Sequence, residues 1–271
     1  MLNPTDSLIL GTVQGLTEFL PISSSGHLIL ARELLGLNTE SGLVFDAVLQ
    51  LGTILAVYVF FRKDVIRLIR AFLLVLAGKK SASSAEDRTL LFAIVLGTIP
   101  ALILGLLLEE AMETIFRSPL LVACTLVVGS ALFWFAERSA KENSSSPSLK
   151  QGWWIGVFQV LALVPGMSRS GSTISGGLFL GLKRDAATRF SFLLSLPIIT
   201  GSGLLALAKI VKNGETDFAF LSLATGFIAS FMVGYLCISW LVGYLKKHTL
   251  SVFIWYRLLL SVAVLTALIL K

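Results

Sequence analysis

Residues 18–27 read E-F-L-P-I-S-S-S-G-H, and this stretch decides how the chain can fold. It places a glutamate, three serines and one of the chain's two histidines beside the helix-breaking Pro21. The rest of the chain is apolar, because 55% of its 271 residues are hydrophobic and only 14% are charged. A soluble domain carries about a quarter charged residues. Polar residues are costly in such surroundings, so the stretch indicates a functional site.

The composition predicts an all-α integral membrane protein. A helix needs roughly 20 apolar residues to cross a hydrocarbon core. Six segments meet this requirement: residues 43–61, 89–108, 118–137, 188–208, 218–243 and 251–270. The net charge of +6 lies mostly in short loops between these spans, so it indicates membrane topology and no nucleic-acid partner. Cys124 and Cys237 lie in apolar runs and are predicted to be small core residues without a disulfide.

Two further apolar segments are interrupted, residues 7–36 at Pro21 and residues 152–182 at Pro165. Two short apolar pieces around a polar break are typical of a re-entrant helix-turn-helix hairpin, not of a spanning helix. Residues 65–77 alternate arginines with aliphatic residues, which predicts an amphipathic helix lying in the membrane interface.

The two interrupted segments match each other when the chain is shifted by 145 residues. Gly11, Gln14, Ser23, Ser25 and Gly26 then coincide with Gly156, Gln159, Ser168, Ser170 and Gly171. Chance similarity of two apolar stretches is the alternative interpretation. We predict a single membrane domain with two repeats, 1–140 and 150–271, joined by the linker 139–149. Each repeat has one hairpin and three spans, and because three is odd the repeats are inverted, with their polar tips meeting near the midplane.

Basic residues predict the orientation of the chain. The loop 62–88 carries seven Lys or Arg residues, whereas the loop 109–117 carries three Glu and one Arg. Cytoplasmic loops are rich in Lys and Arg. The loop 62–88 and the linker are therefore expected in the cytoplasm, and both termini outside.

The first tip combines an acid with hydroxyls and an imidazole. Gln14 and Glu18 are four residues apart and share a helix face. The run Ser23–Ser25 stands where a second short helix would begin, and free N–H groups at a helix start bind anions. Ser24 or His27 could act as the nucleophile, and His27 could move protons. The alternatives are structural: an N-cap for the serines, packing for His27, and a hydrogen-bonded carboxyl for Glu18.

The second tip, P-G-M-S-R-S-G-S-T at residues 165–173, supplies a fixed positive charge. A guanidinium such as that of Arg169 binds phosphate or carboxylate oxygens in a forked geometry. Ser168, Ser170 and Thr173 add hydroxyl donors. Pairing of Arg169 with Glu18 alone is the structural alternative. Together the tips suit a phosphorylated ligand whose tail lies in lipid. Asp46 and Gln50, at the start of the first span, either join this site or cap that helix.

These residues resemble the undecaprenyl-diphosphate phosphatase family of the BacA type. The family's (E/Q)xxxE motif is similar to residues 14–18, Q-G-L-T-E, and its PGxSRSxxT motif to residues 165–173. The resemblance implies hydrolysis of undecaprenyl diphosphate to the monophosphate, which recycles the lipid carrier for cell-wall synthesis and is linked to bacitracin resistance. It further implies the bacterial inner membrane, a site opening outward, and a divalent cation, Mg²⁺ or Ca²⁺.

Position by position, the resemblance assigns catalysis to Glu18, Ser24, His27 and Arg169, with Glu18 also at the metal. The resemblance also covers Ser168 and Thr173, and we predict that these two bind the substrate together with Gln14, Ser23, Ser25 and Ser170. Gln14 stands where some members have glutamate, which puts metal binding at that position in doubt. The nucleophile is either Ser24, with His27 as its base, or a water molecule activated by His27 or Glu18.

Two other function classes remain. Inverted repeats with broken helices also build transporters, so the chain could carry a polyprenyl phosphate or another phosphorylated solute without cleaving it. A purely structural or assembly role is the third interpretation, against which the two buried polar tips argue.

Overall fold

The computed structural model describes residues 3–37, 42–108, 118–213 and 220–270. The α-helices of these ranges are α1 (Pro4–Thr17), α2 (Ser24–Leu35), α3 (Gly42–Phe60), α4 (Arg62–Leu76), α5 (Ala85–Leu107), α6 (Pro119–Ser139), α7 (Leu149–Val160), α8 (Arg169–Phe179), α9 (Arg184–Asn213), α10 (Phe220–Leu245) and α11 (Ser251–Leu270). The protein is therefore an all-α integral membrane protein, as the composition predicts. The loop 109–117 and both chain ends lie outside the described residues.

The predicted spans correspond to observed helices. Within the described ranges, five helices are long and apolar enough to cross a membrane: α5, α6, α9, α10 and α11. A sixth span arises if α3 is counted together with α4. Most span ends agree within a few residues, but α5 and α9 each begin four residues before the predicted span, at Ala85 and Arg184, and α9 runs to Asn213.

The interrupted segments form pairs of short helices. α1 and α2 contain 14 and 12 residues, and α7 and α8 contain 12 and 11. Each is shorter than the roughly 20 residues that a span requires. The break in the first pair covers residues 18–23, and the break in the second lies between Val160 and Arg169 and contains one short 3₁₀ turn. The polar tips therefore lie at the positions that Pro21 and Pro165 predict.

The helix α4 turns away from α3 by 87°, so it runs across the direction of the span that precedes it. Val65, Leu68 and Ala71 are buried, and the helix packs against α5. Ile66, Ile69 and Leu73, one turn apart, are more than half exposed. This geometry is typical of a helix lying in the interface with an apolar face toward lipid.

Glycines bring each short helix pair close to a span of the other half of the chain. α1 packs against α10, where a Cβ on Gly11 would lie 2.4 Å from the carbonyl oxygen of Gly226. α7 packs against α5, where a Cβ on Gly156 would lie 2.3 Å from the carbonyl oxygen of Gly97. Small residues let helix backbones approach in this way in membranes. The two contacts are reciprocal, since each half supplies the first helix of its hairpin to the second span of the other.

The predicted cytoplasmic loops meet at one end of the molecule. Arg184 pairs with Glu137 at 2.6 Å, and Arg189 pairs with Asp64 at 2.6 Å. The Glu137 carboxylate also accepts a hydrogen bond from the backbone N–H of Leu250 at 2.8 Å. These contacts join α4, the end of α6, the start of α9 and the turn before α11.

The prediction for the cysteines is half right. Both thiols are free and Cys237 is buried, but Cys124 is exposed. Cys124 lies on a face of α6 turned away from the helical core, where an apolar run also suits contact with lipid. An apolar sequence cannot distinguish these two environments in a membrane, because lipid and protein core are equally apolar.

Candidate functional site

The two breaks in the short helix pairs share an unusual backbone conformation. Ser23 has φ 76° and Ser168 has φ 74°. Residues other than glycine rarely adopt positive φ values. Such strain costs about 1–3 kcal/mol per residue and is concentrated at functional sites. Each serine is also an N-cap: the Ser23 hydroxyl accepts from the Gly26 N–H and the Ser168 hydroxyl from the Gly171 N–H. The helices α2 and α8 therefore begin immediately after matching turns.

The two tips are in direct contact. The Ser23 hydroxyl accepts a second hydrogen bond, from the backbone N–H of Gly166 at 2.9 Å. In return, the Ser170 hydroxyl donates to the carbonyl oxygen of Leu20 at 3.3 Å. The positively polarised N-termini of two helices thus open onto one place, which favours binding of an anion.

Glu18 lies between the two tips and is 7% exposed. Its Oε1 forms a salt bridge with Nη2 of Arg169 at 2.8 Å. Its Oε2 accepts from Nε2 of Gln14 at 3.0 Å and from the hydroxyl of Ser24 at 2.6 Å. A buried carboxylate needs such partners, because an uncompensated charge is expensive away from water. The structure therefore brings four of the predicted site residues into one hydrogen-bonded cluster.

Two buried polar atoms of this cluster have no hydrogen-bond partner, Oε1 of Gln14 and Nε of Arg169. Buried polar atoms are nearly always satisfied, and the exceptions need an explanation. Here one acceptor and one donor without partners lie on the two sides of the Glu18 carboxylate. A bound anion could accept from the Arg169 Nε–H, and a donor or a cation could contact Oε1 of Gln14.

The ring of His27 is held from both nitrogens. Nδ1 lies 2.7 Å from the carbonyl oxygen of Ser23, and Nε2 lies 2.8 Å from the hydroxyl of Tyr256. Since a carbonyl only accepts, Nδ1 carries a proton, and in the neutral ring Tyr256 donates to Nε2. No hydrogen bond joins His27 to Ser24 in the described part of the chain. The pairing of Ser24 with a His27 base is therefore not formed in this structure, where Glu18 takes that place because its carboxylate reaches the start of α2.

The remaining predicted residues of the second tip support Arg169. Its Nη1 donates to the carbonyl oxygen of Ser191 at 3.3 Å. The Thr173 hydroxyl lies 2.6 Å from the Ser191 hydroxyl and donates to the carbonyl oxygen of Arg169 at 2.8 Å. Thr173 and Ser170 are fully buried, and their hydroxyls are used within the protein, whereas Ser25 is exposed. Ser191 was not predicted, because nothing in its neighbourhood marks it in sequence.

Sequence reasoning also missed two residues of α11, Tyr256 and Arg257. The guanidinium of Arg257 is fully buried and donates to carbonyl oxygens of both tips: Pro21 at 3.4 Å, Met167 at 3.3 Å and Gly166 at 2.8 Å. It also lies over the ring of Phe133, 4.6 Å from its centroid. A charged residue in the middle of a predicted span was the available signal, since such residues are rare in membranes and usually face a partner.

Asp46 and Gln50 do not join the cluster. Asp46 forms a two-pronged ion pair with Arg32, with N···O distances of 3.0 and 2.5 Å, which ties α2 to α3. The carbonyl oxygen of Gln50 accepts a hydrogen bond from the Thr53 hydroxyl within α3. Asp46 is therefore part of a structural ion pair, a role that neither of the two sequence interpretations includes.

The oxygen atoms of the first tip suit a hard divalent cation, since Mg²⁺ and Ca²⁺ prefer carboxylate, amide and hydroxyl oxygens. Glu18 supplies the carboxylate, and the unpartnered Oε1 of Gln14 supplies an amide oxygen. Within the described ranges, no three His, Cys, Asp or Glu residues gather as a metal site. The residues therefore fit a cation held mainly by substrate phosphates with one carboxylate, which is how proteins usually hold Mg²⁺.

Comparison with known proteins identifies the family of this chain. The family model described as bacitracin resistance protein BacA matches residues 7–263. Proteins named undecaprenyl-diphosphatase are similar over almost the whole chain. One from Methanosphaera stadtmanae is 42% identical and the match covers 97% of each chain, and one from Rubrobacter xylanophilus is 42% identical over 100% of each. A third, from Acinetobacter baumannii, is 38% identical over 96% of this chain and 94% of that protein. The chain therefore belongs to the BacA family of bacitracin resistance proteins.

Proposed function

We propose that this protein is a membrane phosphatase that hydrolyses undecaprenyl diphosphate to undecaprenyl phosphate and phosphate, and so recycles the lipid carrier for cell-wall synthesis. The observation that carries the proposal is the Glu18 cluster, in which one carboxylate joins a serine hydroxyl to a guanidinium. The names of the similar proteins supply the substrate. A polyprenyl diphosphate joins a charged diphosphate head to an apolar tail. The polar tips suit the head, and the surrounding lipid suits the tail.

The diphosphate is bound by the two helix N-termini and Arg169. Phosphoryl transfer depends mainly on positioning and on neutralising charge that spreads over the phosphate oxygens. The N–H groups at the starts of α2 and α8 and the free Nε of Arg169 provide that positive potential. Ser23 and Ser168 contribute indirectly, since as N-caps they fix the turns that aim these groups.

Ser24 is the proposed nucleophile and Glu18 its base. The Ser24 oxygen bonds to the terminal phosphorus while its proton passes to Oε2 of Glu18, 2.6 Å away. The bond from that phosphorus to the bridging oxygen breaks, and undecaprenyl phosphate leaves with the electron pair. Water then cleaves the phosphoserine and releases phosphate. His27, fixed by Ser23 and Tyr256, is the second group able to move a proton.

A divalent cation, Mg²⁺ or Ca²⁺, would be held by Glu18 and Gln14 beside the substrate phosphates. When bound, it would neutralise negative charge on the phosphate oxygens. The carboxamide of Gln14 donates from Nε2 to Glu18, which leaves its Oε1 without a partner and able to contact such a cation.

The proposal includes the inverted repeat and the outward-facing site. The matching turns at Ser23 and Ser168 and the reciprocal packing of α1 and α7 support two repeats related by a pseudo-twofold axis. The positive-inside rule supports the orientation, with the loop 62–88 in the cytoplasm of an inner membrane.

The first experiment measures phosphate release from undecaprenyl diphosphate by the detergent-purified protein. It compares wild type with Mg²⁺, wild type with EDTA, and the variants Ser24→Ala, Ser25→Ala and Arg169→Ala. We expect Ser24→Ala to lose at least about a thousandfold in kcat, because the nucleophile is gone. The loss of kcat in Ser25→Ala should be far smaller, because the hydroxyl of Ser25 makes no hydrogen bond to Glu18.

Two results would change the proposal. If Ser24→Ala kept most of its activity, the covalent step would be wrong and water would be the nucleophile. If folded wild type bound a polyprenyl phosphate tightly but released no phosphate under any condition, a transporter of phosphorylated lipids would replace the phosphatase.

A further inference from the structure

The 87° bend between α3 and α4 forms a groove at the end of the molecule where the basic loops meet. The groove has a volume of about 670 Å³ and is lined by Phe60, Phe61, Arg62, Lys63, Asp64 and Arg67, with Ile66 beside them. No residue of the candidate active site lines it.

The aromatic side of the groove is fixed by packing. The ring of Phe61 is 4.9 Å from that of Phe60 and 5.8 Å from that of Phe192 in α9. Phe60 also packs edge-on against Tyr235 of α10, at 5.9 Å. Since these rings join three helices, the groove is a preformed feature and not a gap between mobile side chains.

The basic side of the groove has an excess of positive charge. Asp64, its only acidic residue, is already bound by Arg67 and by Arg189. Arg62 donates only to the carbonyl oxygen of Val59, at 3.4 Å. Neither Arg62 nor Lys63 has an acidic partner among the described residues, and both are exposed. The groove therefore presents two uncompensated cations beside an apolar wall.

The position of α4 determines which kind of anion can reach these cations. Val65 and Leu68 face the protein, whereas Ile66 and Ile69 are 63% and 53% exposed and face lipid. Around the helix, Arg62 and Lys63 lie next to this lipid-facing side. A helix with these faces lies at the boundary of headgroups and acyl chains. The cations are thus at the depth of phospholipid headgroups, and the apolar wall continues toward the acyl chains.

We propose that this groove binds the headgroup phosphate of an anionic phospholipid, with Arg62 and Lys63 as its ligands and an acyl chain along Ile66 and Ile69. Basic residues near a membrane surface each attract anionic lipid, and basic pockets between helices bind such headgroups specifically. Free phosphate would use the same cations but not the apolar wall, so the two ligands can be separated by experiment.

The test uses the full-length protein, purified from vesicles of phosphatidylcholine with a minor fraction of phosphatidylglycerol, and counts retained lipids by native mass spectrometry. The double variant Arg62→Gln/Lys63→Gln removes the proposed ligands. The matched control, Arg70→Gln/Lys79→Gln, removes two charges from the same region of sequence that do not line the groove. We expect wild type and control to retain phosphatidylglycerol in preference to phosphatidylcholine, and the double variant to lose about tenfold or more of that preference.

Three results would overturn the proposal. The preference could survive in the double variant, or fall equally in the control, which would indicate diffuse attraction to a basic surface. Alternatively, inorganic phosphate could displace the retained lipid from wild type, which would make the groove a site for free phosphate. None of the substituted residues lies in the candidate active site. Phosphatase activity in detergent therefore serves as the check that each variant is folded.

Discussion

At the scale of single residues, both tips depend on Arg257. Its guanidinium is fully buried and donates to backbone oxygens on each side of the contact between them. A carbonyl left without its donor costs about 1–3 kcal/mol when buried. Arg257 therefore acts on the reaction through the tips and is a positioning residue.

Replacing Arg257 by Met should lower the free energy of unfolding by roughly 2–4 kcal/mol, because several buried carbonyls lose a donor at once. Thermal unfolding of the purified protein in detergent, followed by tryptophan fluorescence, measures this change. Arg257→Lys keeps the charge but has fewer hydrogen-bond donors. Its free energy of unfolding should lie between those of wild type and Arg257→Met.

The neighbouring variant Tyr256→Phe provides the control for Arg257. It removes one hydroxyl, whose hydrogen bond goes to the His27 ring, so it should reduce activity more than stability. If Arg257→Met unfolded at the same temperature as wild type, the buried guanidinium would not hold the tips together, and the positioning role would be wrong.

Sequence alone predicted the members of the site better than their pairing. Glu18, Ser24 and Arg169 carry polar chemistry into an apolar chain, so their cost in lipid makes them visible. Ser24 bonds to Glu18 and not to His27 at the start of α2, directly after the turn with positive φ at Ser23. A serine gives no sign of such a turn, because glycine is the usual residue there.

At the scale of elements, glycine contacts decide how closely α1 approaches α10. Gly11→Ala should destabilise the protein and lower its activity, since the new Cβ would lie 2.4 Å from the Gly226 carbonyl oxygen. It would push α1 away from α10 and displace Gln14 together with Glu18, which directly follows α1. The matched control is Gly243→Ala in α10, where an added Cβ meets nothing within 4 Å. This control should be neutral or slightly stabilising, by up to about 1 kcal/mol, because alanine favours helix.

Thermal unfolding and phosphate release, measured on both variants, check this prediction. Equal behaviour of the two variants would mean that α1 can move outward freely and that the close contact has no role. Hydropathy predicted that these helices exist, but not which of them touch, because lipid-facing and protein-facing residues are equally apolar in a span.

At the scale of the whole molecule, the ion pairs of Glu137 and Asp64 gather loops that the positive-inside rule assigns to the cytoplasm. The structure places these loops at one end of the molecule independently of the charge count. If the number of spans between them were wrong, the loops would lie at opposite ends. The charge count could predict this grouping. It could not predict the individual pairs, which depend on how the spans pack.

Single cysteines test the predicted orientation in a background with Cys124→Ser and Cys237→Ser. Lys79→Cys and Ser145→Cys, both on exposed residues at the ion-paired end, should react with an impermeant maleimide only after the cells are opened. Ser118→Cys, which directly precedes α6, should react in intact cells. Labelling of Ser145→Cys and Ser118→Cys from the same side would contradict the topology.

The reciprocal packing of α1 on α10 and of α7 on α5 has a consequence for biosynthesis. The ribosome completes α1 when the helix it finally contacts, Phe220–Leu245, is still some two hundred residues from synthesis. Until then α1 lacks the helix against which it packs, and Glu18, directly after α1, lacks its partner Arg169. The packing of α1 can therefore be completed only when the chain is nearly finished.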